Sequence, residues 1–218
     1  TVSNVETLSL TSDANGDAVD FDVFSAPAFD TVMVTITADA DDVTLTDVQS
    51  TSVHLRNTNN ASTSDNVDFL TYDLKDSSGT ADTLNLTLTN RDLDENMTIT
   101  TLTGAGVENI NITADATSTI GAAGDITVTN FTFAAGEAVT VTGDADLTLP
   151  AFATGVVTFD ASTATGDQNV TFAGGNVTAT GGAGADTLNF GASINGSDTI
   201  DGGAGVDTVA IGAVNTAV

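Results

Sequence analysis

The chain has 218 residues, with 30 acidic side chains against 3 basic ones, a formal net charge of -27, and neither cysteine nor tryptophan. With only Arg56, Lys75 and Arg91 as cations, it cannot present the basic surface that nucleic acid or an anionic membrane requires. The absence of cysteine excludes disulfides, thiol catalysis and thiolate metal sites together.

Of the acids only Glu6, Glu95, Glu108 and Glu137 are glutamates. Aspartate favours turns and is a compact oxygen ligand, whereas glutamate builds helices, so the bias points to turns. No apolar run is long enough to span a bilayer as a helix, and Thr1 opens no signal peptide. The expectation is a piece of a longer exported protein.

Taken in chain order, the first feature is Asp13-Ala14-Asn15-Gly16-Asp17, which is similar to the opening of an EF-hand loop. Position six is Ala18 rather than Gly and position twelve is Phe24 rather than Glu, so a solvated turn is expected there. From Val32-Met33-Val34-Thr35-Ile36 onward the chain alternates with a period of two. The alternation recurs at Val43/Leu45, Val53/Leu55, Leu84/Leu86/Leu88, Met97/Ile99, Ile110/Ile112, Ile126/Val128, Val139/Val141, Leu147/Leu149, Val157/Phe159 and Val170/Phe172. Pro27 and Pro150 are expected to fall between strands. Thr, Val and Ile enrichment without any helical period predicts an all-β protein.

Short strands arriving about every 8 to 16 residues suit either a β-sandwich or a stacked solenoid. Asn15-Gly16 and Asn195-Gly196 are the only Asn-Gly hairpin signals, and segments echo one another. Asn4-Val5-Glu6-Thr7-Leu8-Ser9-Leu10 resembles Gly106-Val107-Glu108-Asn109-Ile110-Asn111-Ile112. Both features favour a parallel β-solenoid (β-helix or β-roll), with a β-sandwich followed by a short β-roll as the alternative. Glycine content rises near Gly174, dividing residues 1–173, a Thr/Asp-rich strand region, from 174–218, a β-roll continuing the same solenoid.

That second region carries a nonapeptide of the form GGxGxDxUx, with U aliphatic. Gly181 to Asn189 fits through Gly181, Gly182, Gly184, Asp186 and Leu188, and Gly202 to Ala210 through Gly202, Gly203, Gly205, Asp207 and Val209. Between them Ser193 to Asp201 is a degenerate copy that keeps Gly196, Asp198 and Ile200. The first six residues predict a tight turn in which glycines take positive φ and leave carbonyls open while the aspartate adds a carboxylate. Stacked turns of this kind offer the six to eight oxygens, at about 2.3–2.6 Å, that Ca²⁺ prefers. Asp186, Asp198 and Asp207 are the expected side-chain ligands, with Asp201 a weaker fourth. Asp39/Asp41/Asp42 and Asp144/Asp146 are less specific acidic turns.

Catalysis has no support in the sequence. His54 is the sole histidine and lies in a Thr/Val/Leu strand, and there is no GxSxG, HExxH or P-loop. An enzyme is not expected.

The repeats GGAGADTLN and GGAGVDTVA, in a chain of cysteine-free, lysine-poor Thr/Val strands, resemble the RTX-containing surface-layer (S-layer) proteins of Gram-negative bacteria. That resemblance implies a calcium-stabilised solenoid, type I secretion, an extracellular place on the bacterial cell surface, and self-association into a lattice or filament. It further implies attachment to cell-surface polysaccharide through an anchor that these residues do not contain. A calcium-stiffened spacer or ligand-binding segment of a secreted RTX adhesin is the alternative, and the folding module of an extracellular hydrolase is a third.

Overall fold

A computed structural model of the chain describes residues 5–12, 17–20, 29–37, 41–48, 52–58, 65–76, 78–91, 96–116, 124–133, 138–152 and 158–212. Among these there is no helix. The strands are β1 (Thr7–Ser12), β2 (Asp17–Asp20), β3 (Thr31–Ile36), β4 (Asp41–Val48), β5 (Ser52–Asn57), β6 (Asp65–Leu74), β7 (Thr83–Asn90), β8 (Met97–Ala105) and β9 (Asn109–Ala116). They continue with β10 (Ile126–Thr132), β11 (Ala138–Gly143), β12 (Leu147–Phe152), β13 (Thr158–Asp160), β14 (Gln168–Phe172), β15 (Thr178–Thr180), β16 (Thr187–Gly191), β17 (Thr199–Asp201) and β18 (Thr208–Ile211).

Every strand pairs with the strand two places along, and every pairing is parallel. The odd strands therefore form one 9-stranded sheet and the even strands another. The chain crosses from sheet to sheet at each turn, making a two-sheet parallel solenoid. The sandwich alternative for the first 170 residues fails, because Greek-key sandwiches need antiparallel neighbours and consecutive strands in one sheet.

Alternation sets which face is buried. In β5, and in β7 as far as Leu88, every second side chain is buried, so Val53 and Leu55 stack beneath Leu86 and Leu88. The inner faces of the two sheets meet in a single core. Its C-terminal half is built on phenylalanines, with Phe172 4.7 Å from Phe190, 5.8 Å from Phe152 and 5.9 Å from Phe159 between ring centroids. Pro150 lies inside β12 rather than between strands. The β12–β14 ladder skips a residue between Leu149 and Ala151, the local irregularity that a residue without an N–H imposes on a paired strand.

No boundary interrupts the ladders near Gly174, since β13 pairs with β15 and β14 with β16 in the same two sheets. What differs there is one short coil set between coils of 21 residues. Asp186 follows its neighbour Gln168 by 18 residues, two nonapeptides, whereas Asp207 follows Asp186 by 21. The three added residues are Phe190 to Ala192, which close β16 and begin the next turn.

Candidate functional site

Strand alternation between sheets gives the solenoid two edges of stacked turns. The turns at 181–186 and 202–207 both lead from the odd sheet to the even sheet, so they stack on one edge. The turn at 192–198 runs from the even sheet to the odd one and lies on the opposite edge. Asp186 and Asp207 are thus brought together, and Asp198 is held apart from them by the length of the strands between the two edges.

Asp186 is 1% exposed. Its Oδ1 accepts the Gln168 backbone N–H at 2.7 Å and its Oδ2 the Gly182 N–H at 2.6 Å, while its own N–H donates to Asp207 Oδ1 at 3.0 Å. Burial pushes the Asp186 carboxyl above the ordinary carboxylate range; the two N–H bonds oppose that rise, and the charges of Asp207 and Asp167 add to it. On the far edge Asp198 Oδ1 accepts Val177 N–H at 2.8 Å and Oδ2 accepts Asn195 N–H at 2.7 Å. Asp201 closes β17, with Oδ1 accepting Gly203 N–H at 3.0 Å in a local Asx-type turn.

The repeat glycines act mainly through close approach. Gly181, Gly182 and Gly184 do not take positive φ; only Gly203 (φ 85) and Gly205 (φ 123) of the two full repeats do. A Cβ on Gly184 would stand 2.6 Å from both the Gly166 carbonyl and Asp167 Oδ1. One on Gly181 would stand 2.5 Å from Asp186 Oδ2 and closer still to the Gly202 carbonyl. Glycine therefore lets one turn settle onto the oxygens of the next. Gly196 is different: it has ordinary φ and nothing within 4 Å of a Cβ, and it takes no part in such a contact.

These contacts test whether Ca²⁺ suits the edge. The two oxygens around Gly181, from adjacent coils, lie within about 5 Å of each other, a span one Ca²⁺ with bonds of about 2.3–2.6 Å can bridge. Among the described residues no three acidic or histidine side chains cluster as a metal cage. A cation on this edge would take backbone carbonyls together with Asp186 and Asp207, an all-oxygen donor set that fits Ca²⁺ better than a transition metal.

A longer polar ladder runs along the same edge. Asn96, Asp125, Asp146 and Asp167 each precede a residue of one register column, Met97, Ile126, Leu147 and Gln168. Asn96 Oδ1 accepts Asp125 N–H at 3.2 Å, Asp146 Oδ1 accepts Asp167 N–H at 2.7 Å, and Asp167 Oδ1 accepts Ala185 N–H at 2.6 Å. Of the less specific acidic turns, Asp144 Oδ1 accepts Ala116 N–H at 3.0 Å, so it too serves backbone stacking. Asp13 to Gly16 and Asp39 lie outside the described residues, as does the Asp41 side chain. The signal for the ladder is present in the sequence as Asp125-Ile126, Asp146-Leu147 and Asp167-Gln168, which recur every 21 residues. His54 lies on the outer face of β5, its Nε2 2.9 Å from Thr89 Oγ1, and burial with Arg56 and Arg91 nearby lowers its pKa.

Comparison of the chain with protein-family models, curated protein sequences and solved structures gave no significant match.

Proposed function

We propose that the chain is a structural cell-surface protein, stabilised by calcium and self-associating into an extracellular S-layer or similar array. The observation that carries the reading is the stacking of the two full nonapeptides on one edge. Carbonyls and the Asp186 carboxylate of successive coils come within the reach of one divalent cation there.

In this reading calcium binding and folding are coupled. A net charge of -27 opposes compaction, and cations that bind only the folded turns shift the balance towards the solenoid by mass action. At low calcium the acidic turns stay loose; at the millimolar level outside a cell they close. No catalytic step is proposed.

Electron microscopy of the purified chain with calcium and with excess EGTA, beside thermal melts in both, tests the proposal. Sheets or filaments that form with calcium and dissolve on chelation, with a fall in melting temperature, are expected. A monomer in both conditions with unchanged melting would refute it, and a calcium-stabilised monomer would favour the adhesin spacer.

A further inference from the structure

The cation-binding edge extends one coil beyond the recognisable repeats. The even-sheet column Met97–Ile126–Leu147–Gln168 is continued by Asp186 and Asp207, each of whose carboxylates accepts the backbone N–H of the residue at the same place in the preceding coil. The column is apolar up to Leu147 and bears oxygen from Gln168 onward. Reading 18 residues back from Gly181 to Asn189 gives Thr163 to Thr171, TATGDQNVT, with Gly166 at position four, Gln168 at position six and Val170 at position eight. This is a cryptic copy of the nonapeptide in which glutamine replaces the ligand aspartate.

Gln168 has the features of a ligand awaiting a partner. It is 1% exposed, and its Nε2 donates to the Gly166 carbonyl at 2.9 Å. Its Oε1 is buried and accepts no hydrogen bond. A buried acceptor without a partner has lost its hydration and gained nothing in return, a cost that a bound cation would relieve. Gln168 and Val170 are buried on one face of β14 while Asn169 is exposed, so Gln168 and Asp186 lie on the same face of adjacent strands, about 4.8 Å apart. The Gly166 carbonyl and Asp167 Oδ1 both press on Gly184 of the next turn.

We infer that Gln168 Oε1 is a calcium ligand, and that with oxygens of the 161–168 and 181–186 turns it holds a cation distinct from the one between the 181–186 and 202–207 turns. A neutral amide suits this place. Asp167 and Asp186 already supply negative charge, so a single neutral amide oxygen can complete the shell, and a carboxylate at the same place would keep an oxygen ligand at the cost of some repulsion. Leu147 at the same point of the preceding coil ends the series, so the cation stack starts at Gln168.

The inference rests on the calcium reading above, and its test separates the two. Native mass spectrometry and calorimetry count calcium ions on the wild-type chain, Gln168→Met, Gln168→Glu and Asp207→Ala. Gln168→Met is expected to lose one ion, or to bind it at least tenfold more weakly, while keeping the ion that Asp207→Ala removes. Gln168→Glu is expected to restore binding. The same count and affinity in Gln168→Met overturns the inference while leaving the calcium reading intact; a wild-type chain that binds no calcium overturns both. Against the chance that the variants misfold, wild-type chain labelled with ¹³C at glutamine Cδ gives an independent readout. The sequence contains only Gln49 and Gln168. The Gln168 resonance should shift as calcium is added, and its failure to move when calcium binds overturns the assignment.

Discussion

Replacing Asp186 with alanine should destabilise the chain even when no calcium is present. The carboxylate accepts two backbone N–H bonds, from Gln168 in the preceding coil and from Gly182 in its own turn. A hydrogen bond to a charged acceptor contributes about 1.5–3 kcal/mol, and a buried donor left unpaired loses its hydration as well. Burial disfavours the charged form of Asp186 and returns part of that sum. The net loss in EGTA is therefore about 2–5 kcal/mol, concentrated in the coils from Gln168 onward because a stacked solenoid couples mainly neighbouring coils. Amide hydrogen exchange is the direct assay. In Asp186→Ala with EGTA the Gln168 and Gly182 amides should lose protection by about 30-fold or more, while Val34 and Leu55 in the distant N-terminal coils keep theirs. Asp186→Asn, which keeps one acceptor oxygen, should fall between. Unchanged protection of both amides in the alanine variant would show that the carboxylate does not hold the turn, and the account of how the coils stack would be wrong. The same prediction makes Asp186→Ala a poor test of metal binding on its own, since it removes a turn latch together with a ligand. Asp207→Ala, which removes one such bond where Asp186→Ala removes two, is the milder metal probe.

Gly184→Ala should cost about 1–3 kcal/mol, because its Cβ meets the Gly166 carbonyl and Asp167 Oδ1 at 2.6 Å, whereas Gly196→Ala, with free space and ordinary φ, should be neutral or stabilising by about 0.4–1 kcal/mol; urea unfolding compares them. Phe172→Ala removes the ring at the centre of the phenylalanine cluster and should cost about 3–5 kcal/mol in the same assay. Burial, then the charge of Asp146, raises the carboxyl of Asp125, and burial, then Asp144, raises that of Asp115. Because these folded-state pKa values lie above the unfolded ones, the stability they contribute is fully present below the unfolded pKa and is lost as pH rises through the folded pKa. Asp125→Asn should therefore stabilise the calcium-free chain at pH 7, with the gain shrinking towards about pH 4. Asp76 and Asp160 behave oppositely: hydrogen bonds from Ser78 and Ser162 lower their pKa, so what they contribute is lost as pH falls.

Much of the architecture was legible in the sequence because a β-strand writes its buried face into every second residue. Leu84, Leu86 and Leu88, or Val53 and Leu55, announce both strand and inward face. Partner choice was less legible, since the same alternation serves a sandwich; the echoes of one coil in another and the scarcity of hairpin turns carried that decision. Around the candidate site, the nonapeptides located the turns, but the linear spacing did not show that consecutive copies alternate between edges. That is why Asp198 reads as a companion of Asp186 and Asp207 in the sequence and stands across the core from them in the fold. Gln168 was hidden for another reason. Aligning on aspartate sets Asp167 against Asp186 and shifts the register by one residue, while the ladder pairs Asn169 with Thr187 and so sets Gln168 beside Asp186.

The direction of the side-chain bonds along the edge shows where a cation would matter most. Asn96, Asp146 and Asp167 accept N–H groups from the coil that follows them, whereas Asp186 and Asp207 accept from the coil before. The two senses meet between the 161–168 and 181–186 turns, which latch each other reciprocally through Asp167 with Ala185 and Asp186 with Gln168. That step is held by protein groups alone, and a cation there adds to a formed interface. Among the described residues, the step between the 181–186 and 202–207 turns has one side-chain latch, the Asp186 N–H donating to Asp207, and Val206, Val209 and Ile211 are exposed on the last coil described. Calcium-dependent ordering should therefore be steepest at 202–211 and shallow at 161–172. Protection of the Thr208 amide, bonded to the Asp186 carbonyl at 2.8 Å, should rise with calcium far more than that of Leu147, bonded to the Asp167 carbonyl at 2.9 Å. Equal gains at the two amides would mean that calcium acts on the solenoid as a whole by screening its net charge, and not through ligands on this edge.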